Sequence, residues 1–244
     1  MHELLRGYHR ADGKARCAIK VDIIKAYDTI RWEFLFLAMK LLKFPHKFLE
    51  WVKLCVCTAQ FSVNMSVAMV GYFKNERGLS QEDPISPYLF LLVMEVFFMI
   101  LDNRIKEKGF DFYPKCKEME NSHLIFADDQ FLLSTASNRS ITLLKDVLND
   151  FAEFSGLRPN FEKSELLTAG VSEYRKQELS QMLGMRLGVL PVRYLGIPLI
   201  SSRLTIVDCN PLIDKIRARV LGWSSKTLTY GGRLQLVKSV FTSL

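Results

Sequence analysis

The chain has 244 residues, with 33 basic and 26 acidic side chains for a net charge of +7. Apolar residues make up 49% and aromatics 11%, which excludes intrinsic disorder; 13 glycines and 8 prolines exclude a collagen-like or low-complexity chain. The length suffices for one large domain or two small ones around a buried core. The five cysteines (Cys17, Cys55, Cys57, Cys116 and Cys209) are odd in number and offer one close pair, Cys55-x-Cys57. That is neither a disulfide framework nor a zinc pattern, and it points to a reducing compartment. The N-terminus, MHELLRGYHR, is too polar for a signal peptide. The most apolar run, Leu89 to Leu101, has 13 residues and carries Glu95. A membrane-spanning helix needs about 20, so no membrane role is expected.

Taken in chain order, Ala18 to Ile24 reads as a buried strand holding a carboxylate, Asp22. Asp28 is placed to cap a helix in which Ile30, Phe34, Leu37, Ala38 and Leu41 repeat at helical spacing and Pro45 ends the pattern. A second helix from about Pro45 to Cys57 turns Phe48, Val52 and Cys55 inward. Phe61, Val63, Met65 and Val67 alternate with polar residues as a half-exposed strand. Ser86-Pro87 opens a long apolar helix to about Ile105, with Ser as the cap. His123–Phe126 and Phe131–Ser134 form a hairpin around Ala127-Asp128-Asp129-Gln130. Ile141, Leu144, Leu148 and Phe151 mark a helix that Gly156 terminates, and a short strand, Glu165 to Thr168, follows. Tyr194 to Leu199 is a further strand or hairpin. Asn210-Pro211 opens a helix through Leu212, Ile216 and Val220, and Leu234, Val237 and Phe241 mark a last periodic segment. Helices mixed with hairpin-connected strands give the class α+β.

Three carboxylates, Asp22, Asp128 and Asp129, fall where strands are buried or sharply turned. Burying an unpaired carboxylate is costly, so a compensating cation is implied. Oxygen ligands without His or Cys suit Mg²⁺ or Mn²⁺, and two such ions about 3.5–4 Å apart serve phosphoryl transfer. The plain alternative is that Asp22 pairs with Lys20 or Lys25 and that Asp128-Asp129 is only a turn. From Pro211 onward six basic side chains face Asp214 alone, five of the seven net positive charges. That balance suits a nucleic acid backbone, although a solvated helix face would carry the same charges.

Five blocks occur in order: KVDIIKAYD (20–28), RGLSQEDPISPYLFLLVMEVF (77–97), FADD (126–129), SGLRPNFEKS (155–164) and YLGIPL (194–199). Together they resemble the palm of a reverse transcriptase, specifically that of LINE-type non-LTR retrotransposons of the kind abundant in plants. The resemblance covers nearly the whole chain. It implies an antiparallel polymerase palm backed by helices over residues 1–200, without the preceding fingers, and the start of a basic helical thumb over 201–244. It implies RNA-directed DNA polymerase activity with two Mg²⁺ or Mn²⁺ ions, an RNA template, a DNA primer, deoxynucleoside triphosphates and a nuclear site of action. By resemblance, Asp22 and Asp128 bind metal, Asp129 is the adjacent acid of the same turn, and Ile23 lends its backbone carbonyl. Tyr27 stacks under the incoming sugar and excludes a 2′-hydroxyl, and Gln81 lies in the loop against template and nucleotide. Lys163 protonates the leaving pyrophosphate, its alternative being a solvated loop lysine. Tyr194, Leu195 and Gly196 grip the primer end, and Lys215, Arg217 and Arg219 track the heteroduplex.

The chain departs from the family in two ways: the fingers region that normally precedes the palm is expected to be missing, and one loop differs. Where the family usually has Arg-Gln-Gly-Asp-Pro, this sequence has Ser80-Gln81-Glu82-Asp83-Pro84. Glu82 adds bulk and negative charge where a glycine would let backbone approach a nucleotide. A catalytically inactive relic that keeps the fold and binds nucleic acid weakly is therefore the alternative function. A nucleotide cyclase with a palm-like sheet is disfavoured, because it needs neither YLGIPL nor a basic thumb.

Overall fold

The computed structural model describes residues 7–8, 14–65, 68–81, 83–126, 129–194, 197–201, 205–222, 229–232, 234–235 and 238. Strand β1 (Arg16–Val21) is followed by a single turn of helix, α1 (Ala26–Thr29), and by α2 (Trp32–Leu41) and α3 (His46–Cys57). Asp28 does not cap α2: it lies inside α1, and the residue ahead of α2 is Arg31, with no side-chain cap. On α3 the inward pair is Leu49 and Val52, whereas Cys55 is exposed one turn further along. Strands β2 (Gln60–Met65) and β3 (Ala68–Lys74) pair as an antiparallel hairpin with a register shift between Phe61 and Val63.

Helix α4 (Ser86–Lys108) begins as its Pro87 dictates, but Ser86 is its first residue rather than its cap. The turn before it is closed by Asp83, whose Oδ1 accepts the Ile85 N–H at 3.1 Å. A single 3₁₀ turn (Pro114–Cys116), strands β4 (His123–Phe126) and β5 (Asp129–Thr135), and helix α5 (Asn138–Ser155) come next. Ser137 caps α5, its hydroxyl accepting the Ser140 N–H, and Gly156 at φ +84° ends it. Strand β6 (Glu165–Ala169), helix α6 (Glu173–Leu183), β7 (Arg186–Leu187) and the hairpin β8 (Val192–Tyr194)–β9 (Ile197–Leu199) lead to α7 (Ile206–Gly222). Helix α7 starts four residues before Asn210, with Pro211 inside it. The start is fixed by a reciprocal cap: Asp208 accepts from Thr205 N–H and Oγ1, and Thr205 Oγ1 accepts from Asp208 N–H. Those bonds hold the exposed Asp208 carboxyl below its ordinary pKa.

The sheet order is β4-β5-β1-β6-β7, antiparallel except for β6 with β7. Strand β1 is central, and its apolar residues Cys17, Ala18, Ile19 and Val21 are buried on both faces. Cys17, Ile19 and Val21 enter the larger core with Leu89, Phe90, Val93 and Phe97 of α4 and Leu144, Leu148 and Phe151 of α5. Ala18, Phe131, Leu133, Leu167 and Ala169 face the other way, under Tyr8, Tyr113, Cys116, Val192 and Leu199. Among the described residues, no helix is long and apolar enough to cross a membrane.

Candidate active site

Register brings the acidic residues together. Strands β1 and β5 pair antiparallel, from Arg16 opposite Thr135 to Val21 opposite Gln130. One step further along the same ladder lie Asp22 and Asp129. Alternation past Val21 puts Asp22 on the face of Ala18 and Lys20, and Asp129 on the face of Phe131 and Leu133, which is the same face. Phe126 pairs with Asp129 across the start of the β4–β5 ladder. Asp128 itself lies outside the described residues, as do Glu82, Leu195 and Gly196.

Asp22 is held by its backbone. Its N–H donates to Ser164 Oγ at 3.1 Å, and its carbonyl accepts the Asn160 N–H at 2.7 Å. Ile24 N–H donates to the Arg158 carbonyl at 3.0 Å. These bonds make residues 22–24 and 158–160 a short antiparallel bridge centred on Ile23 and Pro159. They flank Ile23, whose carbonyl takes no part in them. Proline suits this centre because its position needs no donor. Ser164 is fully buried, and Lys163 beside it is exposed, its N–H turned to Asn160. Among the described residues Lys25 forms no ion pair with the Asp22 carboxylate.

A second loop is pinned to the segment after Asp22. Gly78 N–H donates to the Ile30 carbonyl, Leu79 N–H to the Tyr27 carbonyl and Trp32 Nε1–H to the Gly78 carbonyl, each at 2.7 Å. Gly78 sits at φ +87°, and a Cβ there would lie 2.7 Å from the Asp28 carbonyl oxygen, so only glycine fits. This contact brings Gln81, exposed, to the end of the sheet that carries Tyr27 and Asp22. The half-buried Tyr27 ring stacks on Phe90 of α4, centroids 5.2 Å apart and planes 24° apart. The positioning residues Ser164, Asn160, Pro159 and Gly78 were not singled out from sequence. Their signal is the Pro-Asn and Arg-Gly turn chemistry inside two of the five blocks.

The residues expected on the primer side are placed less closely. Tyr194 closes β8 opposite Ile197, and α7, which carries Lys215, Arg217 and Arg219, packs against β9. Lys215 and Arg217 are exposed, and Arg217 approaches Asp214 only to 3.9 Å across open solvent.

The donor set suits a hard divalent cation. Asp22 and Asp129 offer carboxylate oxygens, and residues 22–28 and 158–164 contain no His or Cys. Among the described residues no three His, Cys, Asp or Glu side chains form a metal-holding group.

A sheet of this order backed by two long helices is the fold of reverse transcriptases. It superposes on telomerase from Candida albicans with a TM-score of 0.54 at 13% identity, covering 75% of this chain and 29% of that one. Telomerase from Candida tropicalis gives 0.53 at 13% identity, covering 94% and 38%. The chain belongs to the reverse transcriptase (RNA-dependent DNA polymerase) family, whose model matches residues 1–199. Reverse transcriptases use divalent metal ions. Two relatives are non-LTR retrotransposon polyproteins. The type-2 element R2DM of Drosophila melanogaster is 26% identical over 205 residues, 80% of this chain and 18% of the polyprotein. The type-1 element R2 of Popillia japonica is 26% identical over 162 residues, 66% and 25%. The chain thus spans a quarter or less of these relatives' length.

Proposed function

We propose that the chain is the palm of an RNA-directed DNA polymerase of a non-LTR retroelement, with residues 1–200 as palm and 201–244 opening a thumb. The carrying observation is the convergence of Asp22 and Asp129 at one end of paired strands, with Tyr27 on the helical turn α1 and Gln81 and Lys163 on loops pinned to that end. The substrates are an RNA template, a DNA primer and deoxynucleoside triphosphates, and the reaction belongs in the nucleus. The primer 3′-oxygen bonds to the α-phosphorus, its proton departs, and the bond to pyrophosphate breaks. Two Mg²⁺ or Mn²⁺ ions, when bound, supply activation of the attacking oxygen and charge neutralisation at the phosphates. Asp22, Asp128 and the Ile23 carbonyl hold them, with Asp129 alongside. Tyr27, backed by Phe90, forms the wall that rejects a 2′-hydroxyl. Lys163 gives a proton to the departing pyrophosphate. Tyr194, Leu195 and Gly196 grip the primer end, and Lys215, Arg217 and Arg219 follow the heteroduplex backbone.

Glu82 favours a second reading, a palm that keeps its fold and has lost turnover. Primer extension on a primed RNA template with Mg²⁺ separates the two. Activity requires incorporation that Asp22→Asn abolishes while the melting temperature stays within about 3 °C. No incorporation by the natural chain or Glu82→Gly, each joined to the fingers and thumb of a related active element, establishes the relic.

A further inference from the structure

The loop that carries Gln81 is tied down on both sides of it. Ahead of Gln81, one short segment takes both backbone polar groups of Gly78: Ile30 accepts its N–H, and the Trp32 indole N–H donates to its carbonyl, each at 2.7 Å. The buried Leu79 adds its N–H to the Tyr27 carbonyl. Behind Gln81, Asp83 N–H donates to the Ser80 carbonyl at 3.3 Å, and Asp83 Oδ1 accepts from Ile85 N–H. The Trp32 bond is made by a side chain, so it is a tie that a substitution can remove. Its ring is half-buried at the first turn of α2, whose N-terminus has no side-chain cap. A phenylalanine would pack there as well; the indole adds a donor, and that donor is directed at the loop. The neighbouring Arg31 reaches the opposite way, its N–H donating to the Ser155 carbonyl at 2.8 Å and its guanidinium to the Glu153 carbonyl at 2.6 Å.

We propose that Trp32 is a positioning residue that fixes the Gln81 loop relative to Tyr27 and Asp22. Its bond closes on the one residue of the tie with the most backbone freedom, Gly78 at φ +87°. Without the bond, the Gly78–Leu79 peptide becomes the point about which the loop turns, and Gln81 loses its fixed place. Trp32 acts through Gln81 and touches no substrate. This rests on the polymerase reading for the nucleotide that Gln81 meets, but not for the clamp.

Hydrogen exchange on the full chain tests the clamp without requiring turnover. Trp32→Phe keeps an aromatic ring and removes the donor. It should speed exchange of the Gly78 and Leu79 amides about fivefold and leave those of Ile19 and Asn160 as in the natural chain. Primer extension, with the chain joined to the fingers and thumb of a related active element, tests the role. There Trp32→Phe should raise KM for the deoxynucleoside triphosphate about three- to tenfold and leave kcat within about twofold. Gln81→Ala should also raise KM, and adding Trp32→Phe to it should raise KM no further. Unchanged exchange at Gly78 and Leu79, or exchange that quickens equally at Ile19, overturns the proposal. So does a fall in kcat at unchanged KM, or KM effects that multiply in the double variant; Trp32 is then a packing residue. If the joined chain extends no primer while exchange rises at Gly78 and Leu79 alone, the clamp stands and the polymerase reading alone is overturned.

Discussion

The two faces of the central sheet meet their surroundings by different rules. On one face, Cys17, Ile19, Val21 and Leu132 are sealed under α4 and α5, with Phe97 against Phe151 at 4.9 Å and Phe34 against Phe151 at 5.7 Å, both edge-on. Polar groups there are few and small: the Cys17 thiol meets Ser134 Oγ at 2.9 Å, and burial pushes its pKa up to about 12, so it stays a thiol. On the other face, the end near Arg16 is closed. Tyr8 donates its hydroxyl to the Leu167 carbonyl, and Arg16 binds the Tyr8 carbonyl at 2.7 Å beneath it. The opposite end of that face carries Lys20, Asp22, Asp129 and the Glu165–Arg186 pair, all half-buried or exposed. One face therefore supplies cohesion, and the other carries charged groups at its open end.

That division sets the order of expected effects. Phe97→Ala empties the centre of the sealed face and should cost about 3–5 kcal/mol, lowering the melting temperature by roughly 10 °C. Ser164→Ala acts at the open end. It leaves the Asp22 N–H without its acceptor, at about 1–2 kcal/mol in urea denaturation. Its functional cost should exceed that loss: incorporation in primer extension should fall about tenfold or more, because Asp22 is placed through this bond. If Ser164→Ala lost stability and activity only in proportion, the open end would be another part of the core rather than a site held in place by it.

Much of this division was legible in sequence, and what was not has physical reasons. The stripes Phe90, Val93, Phe97 and Leu144, Leu148, Phe151 read directly as buried helix faces, and all six are buried. The FADD hairpin and the Gly156 stop follow from local turn chemistry. Helix α6 was missed because only Leu179 and Leu183 on it are buried, too few to show a period. Strand β3 was missed because Ser66-Val67 carries no turn signal to end the strand before it. Caps were misassigned at Asp28, Ser86 and Asn210, where a capping residue type was present but another residue made the bond or none did. The meeting of Asp22 with Asp129 depends on long-range antiparallel register, which no local pattern encodes. Only the resemblance anticipated that end of the sheet. Glu82 and Asp128, where the family comparison is sharpest, lie outside the described residues.

The smallest effect belongs to the rim of the sealed face. His123 stands on edge strand β4 and stacks flat on Phe98 of α4, centroids 4.3 Å apart and planes 9° apart. Burial lowers its pKa from 6.5, although Asp102 and Glu95 of α4 pull it back upward. Ser122 Oγ lies 3.3 Å from its Nδ1. The unfolded chain therefore takes up this proton before the folded chain does as pH falls. Stability from the neutral ring is fully present above about pH 6.5 and declines as pH drops through the lower folded-state pKa. His123→Phe keeps an aromatic ring against Phe98 and removes the titration. Its melting temperature should fall less between pH 7 and pH 5 than that of the natural chain. Equal acid sensitivity in both would mean that the ring is already solvated, and that the sealed face ends at Phe98 rather than at the edge strand.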